Sequence, residues 1–442
     1  MNDVLRLPVN PVNPVSPYPD DPYPTAARLR QDGLLKGWTE RDGTYYQWTD
    51  RAYERRTQKQ LRNYLGGLLA DESITGGVKW KPNRAKLSNV IDAIKLDDIP
   101  DPDRHLLALE NGLYDVATDT LTASTPDLFV TNYLPYRFDP DAECPEWDRF
   151  LESIWPDDSE AVALLQEWFG YLVSGSTAHQ KALLMIGPKR SGKGTIMRIA
   201  ESLLGQENTG AIRMSNLTSW FGTQTLLGKS LAIIGDLRID GRLRAAAVET
   251  LLSITGEDLI NVQLKGMGNE PLDVRLRCRI MAATNAPPIF RDVSGVLPTR
   301  FLYLVFAKSF YGSEDIDLSA RLATELPGIL NWAMEGWRSL EACGWTTPRS
   351  SSEVAATAES DASAVGQFLS ECCEKTGSIP TQALFARWQG WAKARGFPSG
   401  DTSAFGSELK SQWPHVQKTQ RRVSGKRCSV YVGVDAVDGV TG

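Results

Sequence analysis

The sequence predicts an α/β protein: a phosphate-binding core built on a mostly parallel sheet, with an α+β region before it and a basic helix-and-hairpin module after it. Three observations predict this. From about residue 180 onward, four apolar runs (KALLMIG, KSLAIIGD, RCRIMAATN and RFLYLVF) alternate with helical stretches at about 193–204, 243–254 and 318–340. Short apolar runs separated by helices are the pattern of parallel strands covered on both faces. The first run passes directly into the glycine-rich string GPKRSGKGT, which opens a helix. Beyond residue 364, three helical stretches precede HVQKTQRRV and KRCSVYVGV, two strands joined at Ser424-Gly425.

Composition bounds the alternatives. A chain of 442 residues, 42% hydrophobic and 23% charged, is long enough for two to four domains and too apolar to be disordered throughout. No run approaches 18 uninterrupted apolar residues, so no membrane span is expected, and MNDVLRLPVNPVNPVSPYPDDPYP lacks the layout of a secretory signal. Six scattered cysteines without a CxxC pair, and three histidines, argue against a disulfide framework and a zinc site. The expectation is a reduced, cytoplasmic protein. The net charge of −6 hides an asymmetry: from Lys375 to Arg427 ten Lys or Arg face two acids, Asp401 and Glu408. A basic module on an acidic body suggests a polyanion partner at that end.

The elements follow in order. Residues 1–25 hold seven prolines, with PVNPVNPVSP repeating every third residue, and are expected to form an extended arm. Residues 26–165 are expected to form an accessory domain. There GTYYQWTD alternates as a strand, RTQKQLRNYLGGLLADES and NRAKLSNVIDAIK repeat at helical spacing, NGLYDVATDTLTAS is a hairpin, and SEAVALLQEWFGYLVSG is an amphipathic helix. The core is expected at 166–345, a Ser/Ala-rich linker or poorly packed helix at 346–363, and the basic module at 364–435.

In the core, Gly187, Gly192 and Lys193 match GxxxxGK between a strand and a helix. Glycines permit the turn, and consecutive N–H groups of Gly187, Pro188 (which lacks one), Lys189, Arg190, Ser191, Gly192, Lys193, Gly194 and Thr195 line a cradle for phosphate. The helix N-terminus adds partial positive charge, and Lys193 reaches the outer phosphates. The residue after Lys193 is Gly194, and the hydroxyl arrives one place later at Thr195, the candidate for Mg²⁺. Hydrolysis of a nucleoside triphosphate also needs a metal-holding carboxylate, a group to orient water and a positive charge for the transition state. Asp236 ends LAIIGD, Asn285 ends RIMAATN at the strand edge where open α/β sheets bind ligands, and Arg300 precedes FLYLVF, with Arg291 as runner-up.

GPKRSGKGT, LAIIGD, LLSITGEDLINVQLKG and MAATN with Arg300 resemble, in order, the superfamily 3 helicases, of the phage, plasmid and poxvirus primase-helicase type. LENGLYDVATDTLTA, NYLPYRFDPDAECPEWDRFLESIWPDD and LLQEWFGYLVSG look like the accessory domain that precedes the motor in that family, so the likeness covers roughly residues 30–340. It implies an AAA+-like core using ATP and Mg²⁺, with Lys193 and Thr195 for ATP and metal, Asp236 for metal, Asn285 as sensor and Arg300 as a finger acting on the neighbouring subunit. It also implies a ring, with a hexamer expected, and a hairpin from LINVQL to LDVRLRCRI whose tip residue Lys265 meets single-stranded DNA in the channel. The family moves 3′ to 5′ and acts on forked DNA in replication in the bacterial host. The family usually pairs two acids where this chain has Gly235-Asp236, leaving the general base open, with Glu257 or Asp258 as candidates. With about 150 residues upstream and no DxD cluster, a separate primase or polymerase is the expected partner.

The order of three helices and a hairpin in the basic module is that of a winged helix-turn-helix. Thr402 and Ser403 suit the start of its last helix, Trp413-Pro414 its end, and Lys410 lies near the far end. Arg421, Arg422, Lys426 and Arg427 cluster at the hairpin turn, a set suited to phosphates rather than base edges. Two other classes compete: an ATP- and DNA-binding replication initiator or regulator that does not unwind, and a nucleotide kinase, which GK-G-T also resembles.

Overall fold

The computed structural model describes residues 18–41, 43–76, 80–102, 105–217, 219, 221–237, 245–263, 272–287, 296–397, 399–423 and 426–437. Lys265, Arg291, the Ser424-Gly425 turn and most of the Pro-rich arm lie outside them. The chain forms two compact units, divided between Phe138 and Asp139.

In the first unit the arm ends earlier than residue 25. Tyr18 is buried and its hydroxyl donates to Asp32, while Asp21 caps the helix Pro22–Gln31, whose first residue is a proline. Proline fits that position because its missing N–H has no helical partner there anyway. A three-stranded antiparallel sheet, Trp38–Arg41, Thr44–Trp48 and Tyr53–Arg56, precedes the helices Gln58–Ala70 and Arg84–Ala93. Leu61, Leu65 and Leu69 of the first helix pack with Leu87, Val90 and Ile91 of the second around Trp38. The hairpin Gly112–Asp115 with Thr120–Thr122 forms as the turn residues require, with Leu106–Leu109 as third strand.

The second unit is built on five parallel strands: β1 (Ala182–Ile186), β2 (Thr209–Ala211), β3 (Leu231–Ile234), β4 (Arg279–Thr284) and β5 (Phe301–Val305). Their order in the sheet is β5-β1-β4-β3-β2. Every residue of β1 and β4 is buried, as expected for strands covered on both faces. The helix Lys193–Leu204 follows β1, and Ala245–Gly256 follows β3. The strands Leu259–Val262 and Leu272–Arg275 pair antiparallel, with the intervening tip outside the described residues.

Several further expectations need correction. The first compact unit ends at Phe138, so the helices Pro145–Ile154 and Ser159–Val173, expected in the accessory region, lie in the second unit. The latter is buried nearly all round, so it is a core helix and not an amphipathic surface one. It crosses Leu326–Cys343 through two glycines, Gly170 facing the backbone of Ala333 and Trp337 and Gly336 facing that of Gln166, where a methyl group would have no room. The single helix expected at 318–340 is two, Leu318–Thr324 and Leu326–Cys343. Pro327 cannot continue a hydrogen-bond ladder, and Glu325 at the break accepts the N–H groups of Glu146 and Trp147, both at 3.0 Å.

The segment 346–363 is no loose linker. Its donors dock on carboxylates of the neighbouring helix: Thr346 N–H on Glu167 (2.8 Å), Arg349 N–H on Glu160 (3.0 Å) and the Ser350 hydroxyl on Asp158 (2.6 Å). The helix Arg349–Ala362 then sets Val354 and Ala355 against the main core.

Past it, helices Ala364–Cys372, Thr381–Arg395 and Thr402–Gln412 surround an aromatic core of Phe368, Trp388, Trp391, Phe405 and Tyr431. The strands Ser378–Pro380, Lys426–Val432 and Gln417–Val423 form an antiparallel sheet with 426–432 in the middle. The cap of the helix Thr402–Gln412 is Asp401, which accepts the N–H groups of Ser403 and Ala404, and not the hydroxyls of Thr402 or Ser403. A carboxylate at that position adds charge complementarity to the helix dipole.

Candidate nucleotide site

The glycine-rich loop leaves β1 at the C-terminal edge of the sheet. Gly187 N–H donates to Thr284 O of β4 (3.2 Å), and a Cβ at Gly187 would fall 2.4 Å from Phe306 O, so no larger residue fits. The crest is held from the far side of β5: Phe310 N–H donates to Arg190 O (2.7 Å) and the Ser309 hydroxyl to Lys189 O (2.8 Å). Arg190 and Gly192 have φ of 59° and 97°, the left-handed turn that Gly192 makes cheap and Arg190 tolerates under these restraints. Gly192 then opens the helix Lys193–Leu204 with no side-chain cap, leaving the first N–H groups directed into the loop.

Lys193 is 9% exposed. Its ammonium donates to Gly187 O (2.6 Å), Pro188 O (2.7 Å) and Ser191 Oγ (3.1 Å), so the loop holds its own cation folded inward. Burial lowers the pKa of this lysine. Thr195 Oγ1 accepts from Arg198 Nη2 (3.1 Å), and Arg198 Nε donates to Ser319 Oγ (3.2 Å), tying the helix to Leu318–Thr324. Beside the loop opens a cleft of about 360 Å³, with Phe150, Phe310 and Leu318 as apolar lining and Arg149, Arg190 and Arg198 around it.

Register aligns the remaining groups. Ile186 pairs with Thr284 and Ile234 with Ala282, so Gly187, Asn285 and Asp236 all emerge at one edge, on three adjacent strands about 4.8 Å apart. Leu237 N–H donates to Ala283 O (2.7 Å), which fixes the chain just past Asp236. Asp236 and Asn285 are both exposed. The donor set fits a triphosphate: a loop with glycines at its two tight positions, Gly187 and Gly192, an uncapped helix start and an ammonium whose present acceptors are the loop's own oxygens. Thr195 and Asp236 carry hard oxygen donors, the ligand type that Mg²⁺ prefers.

Arg300 is elsewhere. It precedes Phe301, which pairs with Ala182 at the start of β1, so it lies at the opposite, N-terminal edge of the sheet. Its guanidinium donates to the side-chain oxygen of Gln180 and, at 3.5 Å, to Gln180 O. Glu257 and Asp258 follow the helix Ala245–Gly256, whose terminal Gly256 O accepts from Gln180 Nε2 (3.3 Å). They therefore sit at the Arg300 edge, and the structure does not bring either to the loop of its own chain as a general base. Lys410, Arg421, Arg422 and Arg427 are exposed on the C-terminal module, and Arg422 stands directly opposite Arg427. Lys426 lies on the same strand pair, opposite Val423.

Sequence reasoning missed Gln180, Arg198, Ser309 and Phe310. Arg198 carries a signal, one turn past Thr195 on the same helix face; the others are brought to the site by topology alone.

Two family matches divide the chain. Residues 23–156 match the family described as D5 N terminal like, and residues 185–300 match a family of unknown function, DUF5906. A curated relative, the uncharacterized mitochondrial protein ymf21 of Marchantia polymorpha, is 24% identical over 116 residues, 24% of this chain; the match spans 64% of that relative's length, less than two thirds. Among solved structures, an apo structure of the NrS-1 C-terminal region is similar at a TM-score of 0.52 and 14% identity, covering 94% of this chain and 99% of that one. The A form apo structure of the same region gives 0.50 and 13%, covering 92% and 98%. At these identities the likeness is one of fold.

Proposed function

We propose that the chain is an ATP-dependent DNA helicase of the phage-type primase-helicase kind, working as a ring of identical subunits on single-stranded and forked DNA. The observation that carries this is the loop at the end of β1, with Lys193 at its centre and Asp236 and Asn285 on the two next strands of a β5-β1-β4-β3-β2 sheet. The D5 N terminal like match ahead of it and the NrS-1 fold support the phage replication setting.

In this reading the loop N–H groups and Lys193 bind the β- and γ-phosphates, Lys193 exchanging its loop carbonyls for phosphate oxygens. Thr195 and Asp236 would hold Mg²⁺, which when bound neutralises phosphate charge. Asn285 orients the attacking water or reads the γ-phosphate, and the cleft along Phe150, Phe310 and Leu318 receives the nucleoside. Arg300 lies five strand residues, about 16 Å, from its own loop edge, so it serves a neighbour's nucleotide. A triphosphate at such a seam makes the site incomplete without a second copy. The three helices and hairpin after residue 364 act as a winged helix that meets DNA phosphates through Lys410, Arg421, Arg422, Lys426 and Arg427, and Lys265, in the stretch of sequence between Leu259–Val262 and Leu272–Arg275, meets the strand in the channel.

Lys193→Ala tests the assignment. DNA-stimulated ATP hydrolysis should disappear while the protein melts as the wild type does; undiminished turnover would remove it. An ATP-binding initiator that does not unwind is favoured by one observation, the single acid at Gly235-Asp236, and a strand-displacement assay on forked DNA separates the two.

A further inference from the structure

Gln180 occupies an unusual place. It has φ of 53°, a left-handed conformation that a non-glycine residue adopts only where its surroundings hold it. Its backbone N–H donates to Thr177 O (2.9 Å), closing a tight turn just ahead of β1. Its side-chain amide faces two groups of opposite character. The Arg300 guanidinium can only donate and meets the amide oxygen; the Gly256 carbonyl can only accept and meets the amide nitrogen at 3.3 Å. The orientation of the amide is therefore fixed by its neighbours, and one side chain spans from the residue before β5 to the end of the helix Ala245–Gly256.

That helix end is also the root of the two-stranded hairpin. Glu257, with φ of 59°, turns the chain into Leu259–Val262, and Arg275 of the returning strand donates back to Glu257 O. The hairpin is thus clamped at its root, and the clamp is bonded through Gln180 to Arg300. Lys181 adds a second tether on the same edge, donating to Thr299 O at 2.6 Å.

We infer that Gln180 is a coupling residue: it transmits the position of Arg300, set by the nucleotide of the adjoining subunit, to the root of the DNA-contacting hairpin. This rests on the helicase reading above. When Arg300 turns toward a neighbour's triphosphate it leaves the amide oxygen, the amide loses the partner that fixes its orientation, and the hold on Gly256 loosens. Gln180 lies at the sheet edge opposite its own glycine-rich loop and acts through Arg300 and Gly256, so it is a positioning residue. Tight couplings of this kind change the linked equilibrium by about 5-fold or more.

Gln180→Glu divides the bridge. A carboxylate still accepts from Arg300 but cannot donate to Gly256 O, so the finger keeps its partner and the hairpin root loses one. The quantity to measure on the full-length protein is the ratio of ATP turnover with single-stranded DNA to turnover without it, together with ATP consumed per base pair unwound. We expect the stimulation ratio to fall about 5-fold or more and the ATP consumed per base pair to rise. Gln180→Met, which removes both bonds at similar volume, should show the same loss and serves if the glutamate variant does not fold. A wild-type ratio in a folded variant overturns the proposal, as does a fall in turnover by one common factor with and without DNA, which would make Gln180 a support for Arg300 alone. Wild-type protein without DNA-stimulated hydrolysis removes the helicase reading itself and this proposal with it, whereas full turnover in Arg300→Ala overturns this proposal alone, because the finger would then be another residue.

Discussion

The position of Arg300 gives a quantitative test by subunit mixing. If Arg300 is the finger proposed above, Arg300→Ala removes a charge-stabilising group of the kind whose loss lowers hydrolysis by about 10³-fold or more, roughly 4 kcal/mol of transition-state stabilisation. Lys193→Ala removes the cation proposed to bind phosphate. Each variant should be inactive alone. They are complementary, because the first keeps its loop and the second keeps its finger, and the sheet separates the two groups within one chain by the length of β5. In an equimolar random mixture, a seam works when a loop-intact subunit meets a finger-intact neighbour, about one seam in four for a head-to-tail ring. Steady-state ATP turnover in the mixture should therefore recover to about a quarter of wild type if seams act independently. The assay needs only the two purified variants, co-refolded or exchanged at low salt. A mixture no more active than its components would mean that Arg300 does not act between subunits, and the argument from the sheet edge would be wrong.

Three further outcomes follow from the packing and the charges. Gly336→Ala sets a methyl 2.2 Å from Gln166 O, so the two core helices must part; overpacking of about 1–3 kcal/mol should lower the melting temperature by several degrees, and an unchanged melting curve would refute the close crossing. Glu167 is buried, and desolvation raises its pKa above the ordinary 4.5 in spite of the bonds from Thr346. Its folded form holds the proton more tightly than the unfolded chain, so wild-type stability falls as pH rises through the window above 4.5; Glu167→Gln should be the more stable protein at pH above that window and equal to wild type below it, as read by denaturant titration at several pH values. Arg422→Ala with Arg427→Ala should weaken binding to unrelated DNA sequences alike and flatten the log–log salt dependence by about 2, whereas a sequence-dependent loss would point to base contacts.

Much of the core was legible because strands buried on both faces must be apolar throughout: KALLMIG and RCRIMAATN announce β1 and β4 without help from the rest of the chain. β2 was not, since Thr209–Ala211 is a three-residue edge strand with no apolar run of its own. The helix Ser159–Val173 misled in the opposite sense, because a buried helix and an amphipathic one share their leucine spacing and differ only in what covers the other face. Pro327 was a visible break within the stretch 318–340, outweighed there by the hydrophobic period. For the candidate site, the placement of Lys193, Asp236 and Asn285 at one sheet edge was legible because loop and strand ends announce themselves in sequence. Gln180 was not: nothing local distinguishes it, and its importance comes from a topology that gathers residues 180, 256 and 300 at one sheet edge.

The inward fold of Lys193 bears on selectivity among anions. A cradle whose cation is already satisfied by three oxygens of its own chain offers little to sulfate or free phosphate, which must displace all three and bring too few contacts to replace them. In the proposed reading, a polyphosphate that also engages the uncapped helix start offsets the exchange. In the reading proposed above, the ammonium has these same three oxygens to return to once the nucleotide leaves, and each cycle begins from the same resting shape.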